Sequence, residues 1–92
     1  MSLPAPSGTL RLRPGSVEWR EVEGEIVAVD VQTSEYLAIN RTGAVLWRAL
    51  DAGATADQLT ERLVDRFDVE RAAARRDVNE FVALLAARGL LA

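Results

Sequence analysis

The strongest constraint on the fold is a stretch of alternating polar and apolar residues that runs from Val17 to Ile39. Alternation of this kind is typical of strands that bury one face. The predicted strands are Val17–Val22, Glu25–Val31 and Glu35–Ile39, joined by turns at Glu23-Gly24 and Gln32–Ser34. Gly24 suits the first turn because a two-residue hairpin needs positive φ. We expect an antiparallel meander whose apolar face is covered by another layer.

The second half of the chain has helical periodicity and recognisable helix ends. Asn40 is a suitable N-cap for a first helix, Thr55 and Gln58 fit a capping box for a second, and we expect Asp68 to cap a third that ends at Gly89. The apolar stripes are Leu46, Trp47 and Leu50; Leu59, Leu63, Val64 and Phe67; and Ala74, Val78, Phe81, Val82 and Leu85. Three strands followed by three helices predict an α+β fold.

Residues 1–16 differ in composition from the rest of the chain. They hold all 3 prolines together with two of the glycines, and such segments are typical of loops. We interpret them as a flexible N-terminal arm, although Thr9–Arg13 alternates and is able to pair weakly. The domain is then expected to span residues 17–92.

The absence of cysteine and histidine from the 92 residues restricts the chemistry. It excludes disulfides and zinc–thiolate sites and removes the commonest general base. We therefore expect no catalytic activity, no metal and no cofactor. Residues 1–16 lack the apolar core of a signal peptide, and no run approaches the ~20 apolar residues of a membrane helix. These features predict a soluble, cytoplasmic protein.

The charge distribution disfavours nucleic acid as a partner. Residues 17–39 carry six acids against one arginine, and Val69–Arg88 carries four arginines against three acids. Phosphate contacts dominate DNA affinity, so an acidic sheet repels a duplex. A winged-helix regulator whose recognition helix uses Arg71, Arg75, Arg76 and Arg88 is nevertheless an alternative.

The third predicted strand is the segment best suited to binding. In a sequential meander it is an edge strand, and Glu35–Ile39 carries no proline, lysine or arginine to discourage pairing with another chain. A peptide is able to add to such an edge through main-chain hydrogen bonds. Leu37 and Ile39 share one face of this strand, and Tyr36 and Ala38 share the other. A helix that covers the edge is the competing interpretation.

One flank of the third helix offers a second wall. At helical spacing, Ala73, Asp77, Glu80 and Leu84 fall beside the apolar stripe. The small alanine and the apolar leucine leave a shallow groove, in which Asp77 presents a carboxylate to a donor. The alternative is a solvated flank with an ion pair between Arg76 and Glu80 at i,i+4.

These features occur in an order and spacing that resemble a known family. They are the Asp30 turn, Tyr36-Leu37-Ala38-Ile39-Asn40, Thr42-Gly43, Trp47, the Gly53-Ala54-Thr55 break, Asp77-Val78 with Phe81, and Arg88-Gly89-Leu90-Leu91. From Val17 to Leu91, the chain is similar to the PqqD-like domains, which are also called RiPP recognition elements. The resemblance implies a winged helix-turn-helix-like fold.

The resemblance also implies a function. Such domains bind the N-terminal leader of a ribosomally made precursor peptide as an extra strand beside the third helix, and present it to a modifying enzyme. The short arm, the VEGEIVAVDVQTSEYLAIN sheet and the GATADQL break are most like the lasso-peptide members, for which the expected enzyme is a leader peptidase. A chaperone in pyrroloquinoline quinone biosynthesis is the alternative within the family.

The resemblance then implies a set of leader-binding residues. They are Ser34, Glu35, Tyr36, Leu37, Ala38, Ile39, Val69, Ala73, Asp77, Glu80, Phe81 and Leu84. The first six form the pairing strand, and the others form the far wall of the groove. A purely structural role stays open for Leu37 and Phe81, and a cap or bridge within the fold stays open for Asp77. We expect a monomer, with self-pairing through the same edge as the alternative.

Overall fold

In the computed structural model, which describes residues 8–92, the chain forms five strands and three helices. They are β1 (Thr9–Leu10), β2 (Val17–Val22), β3 (Glu25–Asp30), β4 (Tyr36–Ile39), α1 (Arg41–Ala52), β5 (Ala54–Thr55), α2 (Ala56–Phe67) and α3 (Arg71–Ala87). β2, β3 and β4 form an antiparallel sheet in that order, and β1 pairs with β5. The predicted α+β fold is confirmed, and the two-residue strands are additional to it. None of the helices within residues 8–92 is long and apolar enough to cross a membrane.

The faces of the main sheet follow the predicted alternation. Ile26 and Ala28 of β3 are buried and lie opposite Ile39 and Leu37 of β4. The hairpin between β2 and β3 turns through residues 23 and 24, both of which have positive φ, as a two-residue turn requires. One face of the sheet is therefore committed to the core.

Asp30 builds the turn between β3 and β4. Its Oδ1 accepts hydrogen bonds from the backbone N–H groups of Gln32 (2.9 Å) and Thr33 (3.2 Å). Its carbonyl accepts from the N–H of Ser34 (2.8 Å), and its own N–H donates to the carbonyl of Glu35 (2.8 Å). The carboxylate is tolerated in a residue that is only 5% exposed because two backbone N–H groups of the turn donate to its Oδ1. The turn sets which residue of β4 lies opposite each residue of β3.

Two of the three predicted helix N-caps are confirmed. The Asn40 side chain caps α1, and Thr55 with Gln58 forms the capping box of α2. The predicted cap at Asp68 is wrong, because Asp68 adopts a left-handed conformation (φ 51°) at the end of α2 and Glu70 precedes α3. An aspartate between two helices suits either role, since aspartate also tolerates left-handed backbone better than most residues.

α1 covers the inner face of the sheet. Trp47 of α1 is fully buried and meets the ring of Trp19 edge-on, with centroids 6.0 Å apart and an interplanar angle of 79°. Edge-to-face contacts are a favoured arrangement of aromatic rings. Trp47, which belongs to the predicted apolar stripe of the first helix, therefore packs beneath the sheet, and Trp19 joins the same core.

The segment before β2 is tied to the end of the chain and to α1. Leu12 is buried, and its N–H donates to the carbonyl of Leu50 (3.1 Å). The N–H of Ala92 donates to the carbonyl of Arg11 (2.9 Å), and Leu12 bridges to Leu91. This segment therefore packs between the end of α1 and residues 90–92.

The expected boundary of the arm differs from this structure. We expected residues 1–16 to be flexible, whereas residues 9–16 hydrogen-bond to the domain; residues 1–7 lie outside the described residues. The alternation of Thr9–Arg13 indicated weak pairing, but its partners are far away along the chain. Composition did not reveal them.

The attachment of this segment predicts a stability effect. Replacing Leu12 by alanine removes buried methyl groups and should lower the free energy of unfolding by about 2–4 kcal/mol, measured by urea denaturation. Val31, which is 53% exposed, provides the control, because its change to alanine should stay within about 0.5 kcal/mol. Equal effects at both positions would contradict the structural role of the segment.

Candidate functional site

The free edge of β4 has a defined pattern of backbone groups. In an antiparallel pair, opposite residues alternate between those that exchange both hydrogen bonds and those that exchange none. The N–H of Asp30 donates to the carbonyl of Glu35, so Glu35 belongs to the residues that hydrogen-bond to β3. Counting along the register of β3 and β4 in steps of two, Leu37 and Ile39 also hydrogen-bond to β3. Their backbone groups are therefore used within the sheet.

Tyr36 and Ala38 consequently direct their N–H and C=O groups away from β3. Within residues 8–92, β4 pairs with no strand on that side. Two donors and two acceptors are thus available at the edge, in the order that an added strand requires. The side chains of both residues are exposed, that of Tyr36 at 78%.

The other edge of the sheet is less suited to pairing. Glu18, Arg20 and Glu21 place charges along β2, and charged residues discourage strand addition. The segment that ends in Gly15 also lies beside Trp19 of this strand. Within residues 8–92, β4 has neither protection, so it is the better candidate for strand addition.

A hollow of about 390 Å³ continues from the end of β4 and is bounded by α1 and α3. It is lined by Asn40, Thr42, Gly43, Leu46, Asp77, Glu80, Phe81 and Leu84. At the start of β4, Glu35 forms an ion pair with Arg88 (3.7 Å). α3 therefore runs alongside β4 in the opposite direction. We call the space between Tyr36–Ile39 and Asp77–Arg88, with this hollow at one end, the β4–α3 groove.

Gly43 allows the floor of the groove to close. A Cβ atom at this position would lie 2.7 Å from Cγ2 of Ile39 and 3.2 Å from Cε1 of Phe81. Both separations are below the roughly 3.5–4.0 Å that carbon atoms prefer. The glycine therefore lets the end of β4 and the ring from α3 pack against the first turn of α1.

The predicted residues of α3 lie together in the groove. Asp77, Glu80, Phe81 and Leu84 line the hollow. Leu84 is 48% exposed, whereas Phe81 is half-buried and also packs against the core. Their role in binding a peptide stays a prediction.

The predicted residues of the strand divide by face. Leu37 and Ile39 belong to the core, each 7% exposed, so they form the floor beneath the edge. Ser34 has a left-handed conformation (φ 64°) and belongs to the turn. Glu35 precedes the strand and is held by Arg88.

Val69 and Ala73 are not brought into the hollow. Val69 packs against the core, and Ala73 is half-buried. With a rise of about 1.5 Å per residue, Ala73 lies about 6 Å beyond Asp77, in the direction away from β4. We predicted one long flank, but the wall that faces β4 begins at Asp77.

Four lining residues were missed as binding residues by the sequence reasoning, which assigned them to a helix cap, to the family motif or to an apolar stripe. They are Asn40, Thr42, Gly43 and Leu46. A signal was present, because glycine inside a helix costs about 1 kcal/mol relative to alanine and often indicates close packing.

The basic and acidic side chains of α3 face different neighbours. Arg71 pairs with Glu61, and Arg75 pairs with Asp57, so these arginines face α2. The Glu61 carboxylate accepts a hydrogen bond and adds its charge, and both effects raise the pKa of the Arg71 guanidinium. The ion pair between Arg76 and Glu80, which was the alternative interpretation of this flank, is not formed. The acids of α3 are left on the groove side.

The comparisons with known proteins agree with the fold. The profile of the family described as Coenzyme PQQ synthesis protein D (PqqD) matches residues 25–91. The structure of TbiB1 in complex with the TbiA(beta) leader peptide is similar with a TM-score of 0.80 and 23% identity, over 88% of this chain and 93% of that one. A lasso peptide synthetase B1 complexed with the leader peptide has a TM-score of 0.74 and 28% identity, over 90% and 96%. No curated protein matches the sequence.

The packing around Gly43 predicts the sign of a substitution. Gly43→Ala gains helix propensity of about 1 kcal/mol, but overpacking against Ile39 and Phe81 costs about 1–3 kcal/mol. Urea denaturation should therefore show an unfolding free energy that is unchanged or lower, by up to about 2 kcal/mol. Asn79→Ala, at an exposed position of α3, is the control for propensity alone and should stabilise slightly. If Gly43→Ala instead raised the free energy of unfolding by the full propensity term of about 1 kcal/mol, the first turn of α1 would have room for the added methyl group, which would contradict the close packing.

Proposed function

Because this chain belongs to the PqqD family, we propose that it binds the leader segment of a ribosomally made precursor peptide by strand addition to β4. The observation that carries the proposal is the unpaired edge at Tyr36 and Ala38, which lies beside the β4–α3 groove. Two similar folds are described as complexes with a leader peptide, which supports the same class of ligand.

The proposal gives separate tasks to the edge and to the groove. Four main-chain hydrogen bonds contribute roughly 2–6 kcal/mol in total, whereas micromolar binding needs about 8 kcal/mol. The ordering of a flexible peptide adds a further cost. Side chains that enter the groove between Leu37, Phe81 and Leu84 must therefore supply the remainder. Affinity comes from both parts, and sequence preference comes from the groove.

The proposal assigns the protein no catalytic step. It holds the leader and delivers the attached precursor to a processing enzyme, a leader peptidase in a lasso-peptide pathway. The encounter takes place in the cytoplasm, where a ribosomally made precursor first appears. The protein acts as a monomer, since self-pairing would occupy the edge that the peptide needs; light scattering at the working concentration tests this.

The charges do not favour the alternative of DNA binding. Arg71, Arg75 and Arg88 are engaged in ion pairs with acids of the same chain. An ion-paired arginine is less available to a phosphate, and the acidic sheet would repel the duplex. Of the arginines proposed for a recognition helix, Arg76 forms no ion pair with any of residues 8–92.

A proline at residue 38 tests the pairing directly. Ala38→Pro removes an N–H that faces outward, and proline is tolerated on an edge strand when its missing N–H faces solvent. The variant should fold, as judged by circular dichroism. It should bind a synthetic leader peptide of its cognate precursor at least about fivefold more weakly, since one hydrogen bond contributes about 0.5–1.5 kcal/mol and the ring obstructs the partner strand. Calorimetric titration measures the affinity.

The matched control is Ala38→Thr, which keeps the N–H and suits a strand. It should bind the leader about as well as the wild-type protein. Wild-type protein that does not bind the leader would refute the proposed function. Equal affinity of the proline variant would locate binding elsewhere on the molecule.

A further inference from the structure

The groove has an apolar floor and an acidic rim at one end. Phe81 and Leu84 present apolar surface to the hollow, and Asp77 and Glu80 stand beside them. Both acids are exposed, and neither forms an ion pair or a side-chain hydrogen bond with any of residues 8–92. Two unpaired carboxylates next to apolar surface fit a side chain with an aliphatic stem and a cationic tip.

The opposite end of the groove, at the start of β4, carries a different charge. Arg88 meets Glu35 there, and a smaller hollow of about 200 Å³ beside that pair is also lined by Arg13. A bound peptide therefore meets two negative charges at one end of β4 and a compensated, partly basic region at the other. This polarity gives the groove the means to select the position of a charge along a peptide.

The pairing pattern determines which peptide residues meet these walls. A strand hydrogen-bonded to Tyr36 and Ala38 places the residues opposite them on the outer face of the sheet. The residues opposite Leu37 and Ile39, two positions apart, then point inward. Of these two, the residue opposite Ile39 is the nearer to the hollow, because β4 ends at Ile39 and the hollow begins at Asn40.

We propose that Asp77 and Glu80 are specificity-determining residues, which select peptides with a lysine or arginine at the inward position opposite Ile39. The aliphatic stem packs on Phe81 and Leu84, and the cation reaches the two carboxylates. An apolar residue occupies the inward position two residues away, over Leu37. The inference rests on the proposed function, because it takes the peptide to be a strand paired with β4.

Selection from a display library of random linear peptides tests this preference without knowledge of the natural leader. Peptides captured by the wild-type protein should share a basic residue two positions from an apolar one, and the order of the two reports the direction of the strand. Replacing the basic residue by glutamine should weaken calorimetric binding by about two- to tenfold, given that one exposed ion pair is worth up to about fivefold. The loss should shrink as salt is added.

The double variant Asp77→Asn/Glu80→Gln should bind the lysine and glutamine forms of a selected peptide alike. Glu18→Gln/Glu25→Gln makes the same change in net charge on the outer face of β2 and β3 and should keep the wild-type preference. Asp77→Arg/Glu80→Arg should instead prefer a glutamate at the same peptide position. This reversal separates recognition of charge from a loss of stability.

The outcomes distinguish this inference from the function on which it rests. Captured peptides without a basic preference, or a preference that persists in Asp77→Asn/Glu80→Gln, overturn the inference and leave strand addition intact. If the wild-type protein captures no more peptide than the Ala38→Pro variant does, both the inference and the proposed function are overturned. A basic preference that disappears only in the groove variant supports both.

Discussion

The buried carboxylate of Asp30 is the interaction on which the rest of the binding surface depends. It holds the backbone of Gln32 and Thr33 in a tight turn and so sets the register of β4 against β3. A slip of one residue would reverse both faces of the strand. Leu37 and Ile39 would then lose the core. The buried face and the unpaired edge are therefore consequences of one turn.

The groove depends on a second constraint, which is the close approach of three elements at the start of α1. Asn40 ends the strand segment and caps the helix, and Gly43 leaves the space that Ile39 and Phe81 fill. α3 packs against α2 through the core, pairs two of its arginines with acids of α2, and presents carboxylates and Leu84 to the groove. One helix thus contributes to the stability of the helical layer on one side and lines the groove on the other.

Local patterns were enough to predict the strands of the main sheet, the caps of α1 and α2, and three residues of the groove wall, Asp77, Glu80 and Leu84. Each rests on interactions between residues close in sequence, such as alternation or the Thr55–Gln58 capping box. The errors have a different origin. Asp68 suits either end of a helix, and only the path of the chain decides which. The segment around Leu12 finds its partners at Leu50 and Leu91, contacts that no local pattern encodes.

The sequence by itself determined that the chain forms a meander and three helices, that Glu35–Ile39 has one apolar and one exposed face, and that no cysteine or histidine chemistry is available. Periodicity and composition are local properties, and they suffice for these conclusions. Only the tertiary structure decided that the wall of the groove begins at Asp77, that Gly43 shapes its floor, and that Asp77 and Glu80 lie beside it without an ion pair to any of residues 8–92. The physical reason is that the position of α3 along β4 is set by packing between distant elements, which no single segment specifies.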